Sequence, residues 1–256
     1  MIRGSLKTVL AGCAVRIAPT HDPRPTTHAV AAAALALLLA ASPAAAGEAE
    51  WKILHDQAAG HLQRGSLEQA ELFARAALQE AESSLAPTHR AVDQSLSTLS
   101  LALRLQGKQA EALPVAERLV ALRTRRDGAQ AVSTGIALHN DAEILIALGR
   151  MDEAAKLQGR ALAIFEKQLG ENHINTATAL HNMGAIELKQ WKIRDAERYL
   201  RRALAAKLKV LSPDHLSVAH TLDNLSAALD AQGRQIDAER YRRRAQAIRS
   251  KARPPS

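Results

Sequence analysis

The residues of this 256-residue chain with the most chemical potential are its ten histidines, its single cysteine and three recurring asparagines. A hydrolase or a nucleotide enzyme would need a reactive side chain beside its activator. No G-x-S-x-G, no H-E-x-x-H and no glycine-rich phosphate loop occurs in the sequence. Histidine spacing argues against metal chemistry as well. His139 and His181 lie 42 residues apart. If that spacing places them on equivalent positions of stacked helices, they are separated by about 10 Å, whereas a shared zinc holds each imidazole nitrogen at about 2.0–2.1 Å. No third ligand column accompanies them. His89, His173 and His215 follow the same stride, with Ala131 at the vacant step, and read as residues that close a repeating unit. The expectation is a chain without metal, cofactor or catalytic activity.

What remains is hydrogen-bonding chemistry. His139-Asn140, His181-Asn182 and Asp223-Asn224 recur at the same stride, and Glu143 lies one helical turn beyond the first pair. Amides and imidazoles both donate and accept hydrogen bonds. A ladder of them can hold the backbone of an extended ligand without fixing its sequence. An alternative role for the asparagines is to tie neighbouring repeats together. The first two repeats carry Asp56 and Thr98 at this position, so the ladder covers only the last three.

These side chains are placed by a helical pattern repeated five times. The stretch from Ser133 to Thr176 contains two amphipathic helices, one around Leu138, Ala142 and Leu145 and one around Ala154, Leu157, Ala161 and Ile164, separated at Gly149. Gly65, Gly107, Gly149, Trp191 and Gly233 share that turn position, each 42 residues from the next. Leu54, Leu96, Leu138, Leu180 and Leu222 form a second column, and Ala70, Ala112, Ala154, Ala196 and Ala238 a third. Ala58, Ser100, Ala142, Gly184 and Ser226 are all small, as required where helix backbones cross closely. A fixed period of this length describes an all-α solenoid of about five helix-turn-helix hairpins, its first helices lining a concave face.

The columns resemble tetratricopeptide repeats of the 42-residue kind found in kinesin light chains. The matching residues include Leu138, Asn140, Gly149, Glu153, Ala154, Ala161, Leu169, Gly170 and His173, and the fifth repeat keeps Asn224, Gln232, Gly233, Ala238 and Glu239. The resemblance covers roughly residues 50–249 and implies a right-handed superhelix whose groove asparagines contact a bound peptide backbone. Repeats are expected near 51–91, 92–133, 134–175, 176–217 and 218–250, followed by a tail over 251–256. Three departures stand out. Residues 127–131 replace the usual LG..H closure. Pro114 lies near the start of its helix, where a missing donor is tolerated. Trp191 replaces a turn glycine and predicts a slightly different fourth turn.

Residues 1–46 differ in composition. Arg3, Lys7, Arg16 and Arg24 precede the apolar run Ala29 to Ala41, which leads into Ala44-Ala45-Ala46. This is the pattern of a secretory signal with cleavage after Ala46, a disordered leader being the alternative because the basic region is unusually long, and the apolar run is too short to span a bilayer. A periplasmic or secreted location is the expectation. Leu10-Ala11-Gly12-Cys13 resembles a lipobox, but Lys7 interrupts the apolar run that such a signal needs. Loss of this leader would remove the only cysteine.

The whole chain has 34 basic and 26 acidic residues; removing the leader's four and one leaves 30 against 25, a net of +5. Much of the excess sits near the C-terminus, in Arg234, Arg240, Arg242, Arg243, Arg244, Arg249, Lys251 and Arg253. Such a helix could meet nucleic acid or an anionic surface. With two each of Trp, Tyr and Phe, however, the chain has few stacking platforms for bases, and a polar helix is also what a solenoid needs where stacking ends. The sequence therefore reads as a non-catalytic scaffold for a protein or peptide ligand, with no transmembrane segment in the mature chain. The alternatives are a binder acting through the basic helix and a regulatory module for a separately encoded enzyme.

Overall fold

The computed structural model describes residues 43–252. These form ten helices, α1 (Pro43–Gln63), α2 (Leu67–Ser84), α3 (Arg90–Leu105), α4 (Gln109–Asp127), α5 (Val132–Ala147), α6 (Met151–Leu169), α7 (Ile174–Lys189), α8 (Ile193–Val210), α9 (Leu216–Asp230) and α10 (Gln235–Ala252), with no strand among the described residues. Successive pairs make five hairpins in a right-handed solenoid. The main contacts join consecutive helices, and first helices of neighbouring hairpins also touch, α1 with α3, α5 with α7 and α7 with α9. The leader expected over 1–46 lies outside the described residues except for Pro43 to Ala46, which form the first turn of α1. At the other end, α10 runs on to Ala252, into the segment expected as a tail.

The repeated columns are the core. Ala70, Ala112, Ala154, Ala196 and Ala238 are completely buried, as are Leu138 and Leu222. Gly184 shows why its column is small: a Cβ there would lie 2.5 Å from Leu200 Cγ and 3.3 Å from the Ala196 carbonyl oxygen. Gly184→Ala is expected to cost about 1–3 kcal/mol through overpacking, read as a lower urea midpoint with unchanged helix content.

Each hairpin turns in the same way. The residue after the turn position donates to the carbonyl five back, Ser66 to His61, Lys108 to Leu103, Arg150 to Leu145, Lys192 to Glu187 and Arg234 to Leu229, at 2.9–3.0 Å. This is the six-to-one bond of a Schellman motif, which places the turn residue in the left-handed region. The four glycines have φ of 73–77°, and Trp191 adopts φ 59°. The expectation of a different fourth turn is therefore corrected. The tryptophan accepts the glycine conformation because the flanking helices are already fixed by the core. The left-handed region is unfavourable for a residue with a Cβ by roughly 1–2 kcal/mol, so Trp191→Gly is expected to stabilise the chain by about 1 kcal/mol, read from the same denaturation curves.

Two further expectations are corrected. Pro114 is the sixth residue of α4, past the first turn, so the Ala110 carbonyl lacks its helical donor; both residues are exposed, which leaves that carbonyl open to water. The closure at 127–131 also keeps more of the pattern than its letters suggest. Gly128 caps α4 at φ 97° as Gly170 caps α6 at φ 80°, and Thr134 and Thr176 donate to their carbonyls at 2.8 Å in both cases. What the second repeat lacks is the histidine. His89, His173 and His215 are the N-caps of α3, α7 and α9, each accepting through Nδ1 from the backbone N–H two residues on, at 3.2, 3.1 and 3.0 Å. Ala131, before α5, has no side chain able to cap.

Candidate functional site

The sequence-derived groove residues all stand on first helices of the last three hairpins, His139, Asn140 and Glu143 on α5, His181 and Asn182 on α7, and Asp223 and Asn224 on α9. All seven are half-buried. Their hydrogen bonds divide them into two groups.

The residues that precede the asparagines are committed to the protein. His139 Nδ1 lies 3.1 Å from Gln158 Oε1, and Gln158, fully buried on α6, also donates from Nε2 to the Ala179 carbonyl of α7. Because the Gln158 amide nitrogen is spent on that carbonyl, its oxygen accepts and His139 carries its proton on Nδ1. Burial lowers the His139 pKa and outweighs the nearby Glu143 carboxylate. His181 Nδ1 approaches Thr221 Oγ1 at 3.1 Å, and Thr221 also accepts from the buried Lys207 at 2.9 Å. Burial, with the Lys207 ammonium next in weight, holds His181 down to about 3. Asp223 is paired with Arg249 of α10. These three side chains join helices within the solenoid.

The asparagines are not committed in this way. Asn140 and Asn224 make no side-chain hydrogen bond among the described residues, and Asn182 makes one long contact, 3.4 Å from its Nδ2 to Glu143 Oε1. Glu143 itself is held by Arg104 of α3 at 2.5 Å, so its charge is compensated. A cleft between α3, α4 and α5 opens beside Asn140, lined by Ser97, Leu101, Arg104, Leu119 and Ala137. Leu101 remains 40% exposed there and supplies an apolar contact that the sequence columns do not single out. One turn past the asparagines, Ala185 and Ala227 take the place of Glu143. Further along, Ile146 and Leu188 pack against the core and Asp230 pairs with Arg242. The surface around the three amides is thus of low net charge, small and partly apolar.

The basic C-terminal helix is largely neutralised. Arg234 pairs with Glu197 and Asp237, Arg242 with Asp230 and Glu239, Arg243 with Glu239, Arg249 with Asp223 and Lys251 with Asp214. Arg240 and Arg244 carry no ion pair among the described residues, and Arg253 lies outside them. Tyr241 packs on the core of the last two hairpins. No group of three or more His, Cys, Asp or Glu placed to hold a metal occurs among the described residues.

A tetratricopeptide-repeat family model matches residues 133–209 and 192–251, spanning the hairpins that carry the asparagine ladder. Residues 133–251 are thus tetratricopeptide repeats, and the first two hairpins share their register and fold. Among solved structures it is similar to a putative kinesin light chain from Podosopora anserina with nearly identical repeats, at 21% identity and a TM-score of 0.67, covering 84% of this chain and 99% of that one. It is also similar to BtubC from P. vanneervenii, at 22% identity and a TM-score of 0.67 over 78% and 80% of the two chains. The apo form of RapI superposes with a TM-score of 0.70 at 18% identity, over 79% and 71%. At these identities the likeness is one of fold. No curated protein sequence matches.

Proposed function

We propose that the chain is a non-catalytic scaffold, exported from the cytoplasm, whose groove over the third to fifth hairpins holds an extended segment of a partner protein. The observation that carries this reading is the state of the amides. Asn140, Asn182 and Asn224 are half-buried on fixed helices, yet two make no hydrogen bond to the protein and the third makes a long one. Partly desolvated donors and acceptors without protein partners favour a ligand that supplies them. A peptide backbone does so at regular intervals, and the small, weakly charged surroundings suit a segment with small or apolar side chains. The alternative role for the asparagines, stitching hairpins together, is supported only at Asn182. Gln158 and Thr221 perform that stitching instead.

The paired arginines of α10 favour a capping role over a nucleic-acid surface. A salt series distinguishes the two. Binding through phosphates loses about 10³–10⁵ in affinity between roughly 50 and 200 mM salt when 6–10 of them are contacted. Groove binding of a low-charge segment is expected to change little. The test is capture of a library of extended peptides, mixed with nucleic-acid fragments, on the immobilised chain at both salt concentrations. Peptides retained at high salt support the reading, and capture of nucleic acid alone contradicts it.

A further inference from the structure

The fourth turn is unlike its four counterparts. Trp191 holds a left-handed backbone, φ 59°, where they have glycine, and its side chain is 80% exposed. A strained conformation persists when something other than local preference sustains it, and so exposed a side chain gains little from packing. The neighbouring turns add to it. Leu148, just before Gly149, is 37% exposed, and Ile236, three residues past Gly233, is 89% exposed. Three successive turns at one edge of the solenoid thus each present an apolar side chain.

The unpaired charge at the fourth and fifth turns is basic, while Asp152 of the third, exposed and without an ion pair among the described residues, accepts from Gln190 at 2.8 Å. Lys189 and Arg194 flank Trp191, both exposed and without ion pairs among the described residues. Lys192 approaches Glu187 only at 3.6 Å. Arg240, also exposed and unpaired, borders the hollow that contains Ile236. In this the edge differs from the rest of α10, whose cations are mostly neutralised.

We propose that the edge formed by the third, fourth and fifth turns docks on an anionic lipid surface, Trp191 and Ile236 entering the interface while Lys189, Lys192, Arg194 and Arg240 meet the headgroups. Tryptophan favours the boundary between headgroups and acyl chains, and basic residues near an anionic surface add to binding. The shape supports lipid over protein. Separate apolar side chains on successive turns match an interface that conforms to them, whereas a stable protein contact needs on the order of 800 Å² of complementary surface on each side. No helix among the described residues is long and apolar enough to cross a membrane, so this contact would be peripheral. It leaves the asparagine groove free.

The two tryptophans permit a direct test. Trp51 is buried and donates to Ser95 Oγ at 2.8 Å, so it is shielded in the folded chain. Quenching of the full-length protein by brominated lipid therefore reports Trp191. The probes are vesicles of phosphatidylcholine with and without phosphatidylglycerol, and the comparison protein is Trp191→Gly, which restores the glycine of the sister turns and carries the same leader. The expected result is a blue shift and quenching in the wild type only with phosphatidylglycerol, and weaker cosedimentation of Trp191→Gly. Lys189→Gln combined with Arg194→Gln is expected to reduce partitioning roughly tenfold or more. The proposal is overturned if Trp191 stays unquenched, if wild type and Trp191→Gly sediment equally, if neutral vesicles act as well, or if the shift follows protein concentration without lipid.

Discussion

Asp141→Leu is expected to stabilise the protein at pH 7 by about 2–3 kcal/mol, and that advantage is expected to shrink as the pH falls to 4. Asp141 occupies the α5 position that is Leu99 in α3, Met183 in α7 and Leu225 in α9. It is 3% exposed, and its Oδ1 has no hydrogen-bond partner. Burial, reinforced by Glu117 and only partly opposed by Arg150, pushes its carboxyl up to about 6 from 3.8. A carboxyl that binds its proton more tightly in the folded state destabilises that state as the pH rises through this window, each tenfold gain in proton affinity being worth about 1.4 kcal/mol. The penalty is absent well below pH 4 and complete above pH 6.

The difference in stability between variant and parent isolates the Asp141 contribution. His181, held down to about 3, acts the other way: its lowered pKa removes stability as the pH falls from about 6.5. Both proteins share that contribution, so it cancels. Urea denaturation at pH 4, 5, 6 and 7 gives the difference directly. An advantage that does not vary with pH would mean that leucine acts by packing alone.

Asp141 also illustrates which features are legible in a sequence. Columns of one residue type announce themselves by period, which is why the turn glycines, the buried alanines and the leucines reveal the hairpins and their register. Positions filled by different chemistries in each repeat do not. Sixteen residues past the turn stand Ala81, Arg123, Phe165, Lys207 and Arg249, with no shared property to mark a column. In the structure each is fitted to its own surroundings. Arg123 forms two hydrogen bonds with the buried Asp93, at 2.8 and 2.7 Å, while Phe165 fills the space left by Gly135, where a Cβ would lie 2.8 Å from the ring. Lys207 donates to the Ser217 carbonyl at 3.1 Å and to Thr221. Burial with no carboxylate partner lowers its pKa to about 8. Complementarity of this kind is a property of pairs and has no period.

The groove is half legible for the same reason. The asparagines repeat and stand out. That His139 and His181 turn their Nδ1 atoms toward Gln158 and Thr221 is not visible in the sequence, because those partners lie in other helices and do not themselves recur in register. The four turns with glycine follow their residue type, whereas the turn at Trp191 does not, because a core-imposed backbone outweighs the preference of a single tryptophan.

The second large effect concerns the ladder. Each amide contributes about 0.5–1.5 kcal/mol to a bound backbone if its hydrogen bonds are typical, so a single Asn→Ala change is expected to weaken binding by roughly tenfold or less. Three together are expected to reduce it by roughly tenfold to a thousandfold or more, approaching loss at accessible concentrations. Helix content and the urea midpoint should change little, because Asn140 and Asn224 make no internal side-chain hydrogen bond and Asn182 makes a long one. By contrast, a stitching role would lower the midpoint.

The groove's role is therefore tested most directly by the affinity of Asn140→Ala/Asn182→Ala/Asn224→Ala for a peptide captured by the wild-type chain, determined by fluorescence anisotropy beside a urea titration of the same preparation. Near-complete loss of binding with an unchanged unfolding transition is expected. Unchanged affinity in a folded triple variant would contradict it, and so would a variant that fails to fold.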